Sequence, residues 1–261
     1  MTADAGTFGS PEQVRLQYKS IDMREQIEST PGLCHTGRLV GSDDPSALGW
    51  DFFEEHLKED GFVGFRCLLP ERAHAVRVWG AKLGGIHEWA VMLGTSEDLR
   101  ASATAIGQRP LSSGFRDVGP EEMAADASLS QMQALLVDAG IAPLARASLR
   151  GDIYPSACVG VSGPDGSLVA VANVAMPFNR FSEWQDAAWI GLVAVAPGCR
   201  GLGLGARVSA AAALAGLEKL GARRAMAFVA DDNAPSRAML LRIGLQVSTL
   251  RSIIVGHRPT R

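Results

Sequence analysis

Arg200-Gly201-Leu202-Gly203-Leu204-Gly205-Ala206 stands between an apolar run and an alanine-rich stretch, with glycine at alternate positions beside a single arginine. At the entrance to a helix these residue types suit a phosphate. A helix N-terminus presents unpaired N–H groups at the positive end of its dipole, and glycine lets the backbone come close to an oxyanion with no Cβ in the way. A plain turn calls for glycine at one or two positions, not at every second one with an arginine attached. Gly201-x-Gly203-x-x-Ala206 also fits the loose dinucleotide fingerprint of an NAD(P)-binding reductase. That reading asks for an acid about 20 residues on and a full set of parallel strands. Asp231 and Asp232 lie further away, and the chain ends at residue 261, too soon to complete such a sheet. No Gly-Lys-Ser/Thr follows, so a P-loop lacks its lysine and its magnesium hydroxyl.

The flanks of the glycine stretch narrow the choice. Before it runs Leu192-Val193-Ala194-Val195-Ala196-Pro197, an apolar strand pattern ending in V-x-P; after it come Asn233, Ser236, Leu240, Gly244 and Leu245 at fixed spacing. This combination resembles the GNAT superfamily of acyl-CoA-dependent N-acyltransferases. Their signature Gln/Arg-x-x-Gly-x-Gly/Ala lies between the fourth strand and third helix and is followed by an Asn-x-x-Ala/Ser…Gly motif. The resemblance covers about 114–261. It implies a fourth strand splayed from the fifth, with the pantetheine arm of acetyl-CoA pairing with Val193, Ala194 and Val195. It further places the pyrophosphate on Arg200, Gly201, Leu202, Gly203, Leu204, Gly205 and Ala206, with Asn233 and Ser236 near the thioester end. The implied reaction is direct attack of an amine, borne by a small molecule or peptide, on acetyl-CoA, with no covalent enzyme intermediate and no metal.

Such attack needs a neutral amine and therefore a proton acceptor or a water path. Glu183 and Asp186, just ahead of the fourth-strand pattern, are the nearest carboxylates in sequence; a solvated loop is the simpler reading of them, since surface acids are common. Phe178, Arg180, Phe181 and Trp184 are candidates for an acceptor lining; the aromatics among them could equally be core or a dimer face. Cys199 beside Arg200 has no histidine in view to activate it and reads as a loop thiol. One position departs from the family pattern. Where many members carry a tyrosine proposed to protonate the leaving thiolate, this chain has Leu240, and its only tyrosines are Tyr18 and Tyr154. A non-catalytic acyl-CoA-binding or regulatory module is therefore the alternative.

The elements that must position these residues can be read around them. The pattern predicts a strand over "AAWIGLVAV", a helix over 206–220 stopped by Gly221, a strand over "RRAMAFVA", a helix over 234–244 and a final strand. Upstream, "SACVGVS" and "SLVAVANVAM" flank a Gly-Pro-Asp-Gly turn as a hairpin, preceded by a helix opening at Pro120. Residues 1–105 carry no motif tied to chemistry. "WDFFEEHLKED" reads as a helix ended by Gly61, and "FVGFRCLLP", "AHAVRVWG" and "HEWAVML" read as strands. Composition shifts at 107–114, which suggests domains at 1–110 and 111–261. The first would cover the acceptor site, form a diverged acyltransferase-like unit, or serve assembly. The expected class is α/β (α+β), with a mixed, mostly antiparallel sheet flanked by helices.

Charge excludes some partners. With 25 basic and 28 acidic side chains the net charge is −3, which gives no electrostatic reason to expect nucleic acid or a membrane surface. Four scattered cysteines and five histidines complete no zinc spacing, so reduced thiols and a cytoplasmic location are expected. The first residues show neither a basic nor an apolar targeting region, and a homodimer is left open.

Overall fold

The computed structural model describes residues 5–257. In chain order its first elements are α1 (Pro11–Asp22), α2 (Arg24–Ser29), β1 (Leu33–Cys34), β2 (Val40–Ser42), a 3-10 turn (Pro45–Ala47), α3 (Trp50–Asp60), β3 (Phe62–Leu68), α4 (Pro70–Leu83), β4 (Gly84–Thr95) and α5 (Ser96–Gly107). There follow β5 (Arg116–Val118), α6 (Pro120–Met123), α7 (Asp126–Asp138), α8 (Arg146–Arg150), β6 (Ser156–Ser162), β7 (Leu168–Ala175) and β8 (Ala187–Val195). A second 3-10 turn (Pro197–Cys199), α9 (Leu204–Glu218), β9 (Arg224–Val229), α10 (Ala234–Arg242) and β10 (Gln246–His257) complete it.

Local chemistry accounts for most boundaries. α3 buries Phe53 and Leu57 on one face and stops at Gly61, whose φ of +77° suits a left-handed cap. α9 begins at Gly203 and presents Val208, Ala212, Ala213 and Gly216 to the sheet. Small residues are needed there: a Cβ on Gly216 would lie 2.9 Å from Val174 and 3.1 Å from Ala188. One expectation is corrected. "AHAVRVWG" is not a strand but the body of α4, which Pro70 opens, and it buries Ala73, Val76, Trp79 and Gly80 at helical spacing. Its valines favour strand by propensity alone, and packing of this stripe overrides them.

All ten strands join one sheet in the order β1-β2-β3-β10-β4-β9-β8-β7-β6-β5, mixed but mostly antiparallel. Only β2/β3 and β8/β9 pair in parallel. α5, α9 and α10 share a core with one face, and α7 and α8 pack on the other. Residues 1–110 and 111–261 do not build separate sheets. β10, the last strand, lies between β3 and β4 of the first half, and β4 lies between β9 and β10 of the second. The sheet is also nearly symmetric about this exchanged pair. Strand, 3-10 turn with leading proline, helix opened by a positive-φ glycine, parallel strand, helix and exchanged strand occur from β2 to β4 and again from β8 to β10. No fixed-period repeat is visible in sequence, because what recurs is Pro45 and Pro197, Gly49 and Gly203, and backbone direction rather than side-chain identity.

The first half also grips the loop ahead of β8. The Asn179 amide donates to the carbonyls of Ile27, Thr30 and Leu33 at 2.7–2.9 Å, and the His35 backbone N–H donates to Pro177 at 2.8 Å. The Ser182 hydroxyl bonds the buried Asp43 carboxylate, whose pKa burial pushes up. Among the described residues no helix is long and apolar enough to cross a membrane, and all four cysteines are free thiols.

This interleaving predicts that 111–261 expressed alone will not fold. Ile253 and Val255, fully buried by β3, β4, α3 and α4, would be exposed along an unpaired strand. The fragment should lack a cooperative thermal transition and elute as aggregate, and co-expression with 1–110 should restore both.

Candidate functional site

β8 and β9 run parallel but pair only at Ala187, Ala188 and Trp189, opposite Arg224, Ala225 and Met226. Beyond these positions β8 continues along β7 to Val195, while β9 continues along β4 to Val229. The strands therefore part, and residues 190–195 of β8 turn a free edge of backbone N–H and C=O groups to the gap. This is the splay that the resemblance implied, and Val193, Ala194 and Val195 lie along its open edge.

A β-bulge sits in that edge. The β7 register moves by one between Val171↔Ala194 and Asn173↔Gly191, leaving Leu192 and Val193 opposite Ala172, and Leu192 takes a φ of +51°. A bulge reverses the alternation of faces. Ala188 and Ile190 point to the α9 side, and after the bulge it is Val193 and Val195 that do so, with Leu192 and Ala194 on the α7 side. The sequence gives no sign of this, since a leucine in an apolar strand is ordinary.

From Val195 the chain passes the 3-10 turn and enters the glycine stretch. Gly201 and Gly203 have φ of +81° and +78°, and a Cβ on either would meet nothing within 4 Å. α9 starts with no side-chain cap and no acid in its first turn, so its leading N–H groups are free for an anion. Arg200 is exposed, and its side chain forms no ion pair among the described residues. Beside this loop lies a cavity of about 360 Å³ lined by Leu202, Gly203 and Ala206, by Arg109 and Pro110 after α5, and by Arg242 of α10. Arg207 fixes that wall: it is ion-paired to Asp117 and donates to the Arg109 carbonyl at 2.7 Å. Residues 109–111, within the 107–114 stretch where composition suggested a domain boundary, are thus part of the cavity wall.

The remaining expected residues fall in several places. Asn233 accepts from the Ser236 backbone N–H at 3.1 Å and caps α10, so both have a structural task at the end of the β9–α10 turn. Leu240 is buried in the core with Ile243 and Leu245 and presents nothing polar to the gap. Glu183 and Asp186 stand at the closed end of the β8/β9 pair. Glu183 is exposed, whereas Asp186 is held by the Arg224 guanidinium at 2.9 Å. Trp184 is core under Arg224, and Phe181 is at the surface beneath Arg180. Phe178 lines a cavity. Cys199 packs partly against the core.

That cavity was not foreseen. On the face away from α9, Phe178, Trp189 and Phe228 meet Arg66, His35 and Tyr154, brought from separate stretches of chain. His35 stacks on Tyr154 with ring centroids 4.5 Å apart, and burial pushes its pKa down to about 4 from the usual 6.5. The unfolded chain binds this proton near pH 6.5, the folded one not until about pH 4. Stability should therefore be lost as pH falls from about 6.5 to 4, by up to ~3 kcal/mol from this group. Melting temperature against pH should show that slope, and His35→Gln should remove it.

Over residues 144–245 the chain matches the Acetyltransferase (GNAT) family. No curated protein matches it in sequence. Among solved structures, a GCN5-related N-acetyltransferase from Kribbella flavida superposes with TM-score 0.59 at 17% identity, covering 95% of this chain and 96% of that one. A Drosophila protein solved by a structural genomics consortium gives 0.56 at 17% identity, covering 98% and 92%. A tandem GNAT protein from the clavulanic acid biosynthesis pathway gives 0.50 at 17% identity, covering 80% and 68%. At such identities these likenesses speak for the fold. The family match itself spans residues 144–245, which hold the splay, the glycine stretch and α10, so this part of the chain is similar to the GNAT acetyltransferases in sequence as well as in fold.

Proposed function

We propose that the protein is an N-acetyltransferase that moves an acetyl group from acetyl-CoA to an amine. The observation that carries this reading is the open edge of β8 leading straight into the uncapped, glycine-entered N-terminus of α9. The edge offers backbone groups to the amides of a pantetheine arm. The helix end and Arg200 offer donors and charge to a pyrophosphate. Arg109 and Arg242, on the cavity wall beyond, suit the remaining phosphate of the nucleotide end.

In the proposed reaction the amine nitrogen attacks the thioester carbonyl, the C–N bond forms and the C–S bond breaks. The amine proton leaves to water or a carboxylate, and the thiolate takes one from water. Of the two carboxylates singled out in sequence, Glu183 is the freer, because Asp186 is neutralised by Arg224. Thiolates are acceptable leaving groups at neutral pH, so a leucine at position 240 does not forbid turnover. Its burial in the core does favour one second reading: a module that binds acyl-CoA without transferring the acyl group.

Thermal unfolding with acetyl-CoA tests the binding half. At about 100 times its dissociation constant the ligand should add ~2.7 kcal/mol, with NADH and NADPH adding nothing. Arg200→Glu should weaken acetyl-CoA binding about tenfold or more and leave the unliganded melting temperature unchanged, since Arg200 pairs with no acid among the described residues. Gly203→Ala should instead cost about 1 kcal/mol or more without ligand, because its φ of +78° disfavours any Cβ. Thiol release with a panel of amines then decides between transfer and binding alone: stabilisation by acetyl-CoA with no release for any amine selects the module.

A further inference from the structure

The cavity on the face opposite α9 has a composition that the binding of acetyl-CoA does not use. It is small, about 30 Å³, and Arg66, His35, Thr36, Tyr154, Trp189 and Phe228 line it. The Arg66 guanidinium lies 5.3 Å from the Phe228 ring centroid and donates to the Ser252 hydroxyl at 2.7 Å. Among the described residues no carboxylate pairs with it. Nearby Arg38, whose Nη1 donates to the Ala142 carbonyl, has no acid partner either, so two largely enclosed cations share the region unbalanced. Enclosed charges are ordinarily paired, since leaving water uncompensated is costly.

A second observation points the same way. The Trp189 indole Nε1, which can only donate, is buried without a partner, and so is Nδ1 of His35, itself 5% exposed. An obligate donor without an acceptor, Trp189 Nε1, beside an uncompensated guanidinium marks a place for an oxyanion. The small volume admits a carboxylate better than a bulkier group, and a planar guanidinium matches a carboxylate with two parallel hydrogen bonds. The position in the fold is also telling. Trp189 is the last β8 residue paired with β9, immediately before the open edge, so an anion held there sits next to the closed end of the gap.

We propose that the acceptor is a primary amine that also carries a carboxylate, and that Arg66, with Trp189 Nε1, binds that carboxylate so that the nitrogen a few bonds away reaches the gap between β8 and β9. This rests on the acetyltransferase reading and adds the acceptor class to it. Arg66 is then a specificity residue, not a participant in acyl transfer.

The full-length protein with acetyl-CoA is assayed for thiol release with glycine, β-alanine and 4-aminobutyrate, against their methyl esters, ethylamine and phosphoethanolamine. The carboxylates should be preferred over their esters by about tenfold or more in kcat/KM, and Arg66→Gln should collapse that ratio mainly through KM. Arg66→Lys should restore part of it, and acetyl-CoA should stabilise both variants as it does the parent. Esters equal to acids, phosphoethanolamine ahead of every carboxylate, or a ratio that survives in folded Arg66→Gln would each overturn the proposal. If Arg66→Gln does not fold, the comparison of acids with esters in the parent protein decides. If no amine releases thiol although acetyl-CoA binds, the transferase reading fails first. The anion site is then judged by the melting shift with β-alanine against its methyl ester: a shift with the acid alone upholds it, and none overturns it.

Discussion

Everything at the candidate site depends on a pairing that stops. β8 and β9 share a ladder for three residue pairs, Ala187↔Arg224 to Trp189↔Met226, and then each follows a different neighbour. A parallel pair that continued would satisfy its own backbone groups and leave nothing for a ligand. Because it ends, the outer half of β8 has donors and acceptors on one side only, and the sheet has a slot. The bulge at Leu192 re-aims the side chains along that slot without breaking the β7 ladder on the other side. The alanine- and glycine-rich face of α9 lets the helix lie close against β7 and β8, which brings its N-terminus to the mouth of the slot.

The second constraint is the exchange of β4 and β10. Each half contributes a strand to the other's flank, so the first 110 residues are part of the sheet that carries the slot rather than an appendage. They also supply the far wall: His35, Thr36 and Arg66 reach the cavity behind Trp189, and α5 with the following segment borders the glycine loop. The two halves repeat one backbone plan, yet the first is unsuited to a phosphate. Its entry to α3 is shortened to Leu48 and Gly49, with no counterpart of Arg200 or of the repeated glycines, and the preceding turn is capped by Asp44 through the Ser46 N–H where the second half has Ala196. Of the two related helix entrances, that of α9 is the one with repeated glycines and an arginine.

Charge is distributed to match. Arg109, Arg200 and Arg242 gather around the α9 entrance on one side of the slot, and Arg66 and Arg38 lie behind it on the other. Several acids of the fold are engaged by other cations: Asp117 by Arg207, Asp186 by Arg224, and Asp60 by Arg15 and Lys19. A protein of net charge −3 can therefore present locally positive surfaces to an anionic co-substrate, which overall composition does not reveal.

What the sequence determined is the part written in local chemistry. Glycines at 201, 203 and 205 beside Arg200, the strand ending at Pro197 and the Asn233 cap each act within a few residues, so their types and spacing expose the helix entrance and the family pattern directly. The same local logic found α3, the β6–β7 hairpin and β10, and it misread α4, where burial of Ala73, Val76 and Trp79 outweighs strand propensity. Tertiary structure alone decided the rest. The exchange of β4 and β10 depends on pairing between residues more than a hundred apart, and the bulge at Leu192 on register against β7. The meeting of His35, Arg66, Tyr154, Trp189 and Phe228 depends on which sheet face each occupies, and an arginine's lack of an acid partner is a property of its surroundings that no spacing encodes.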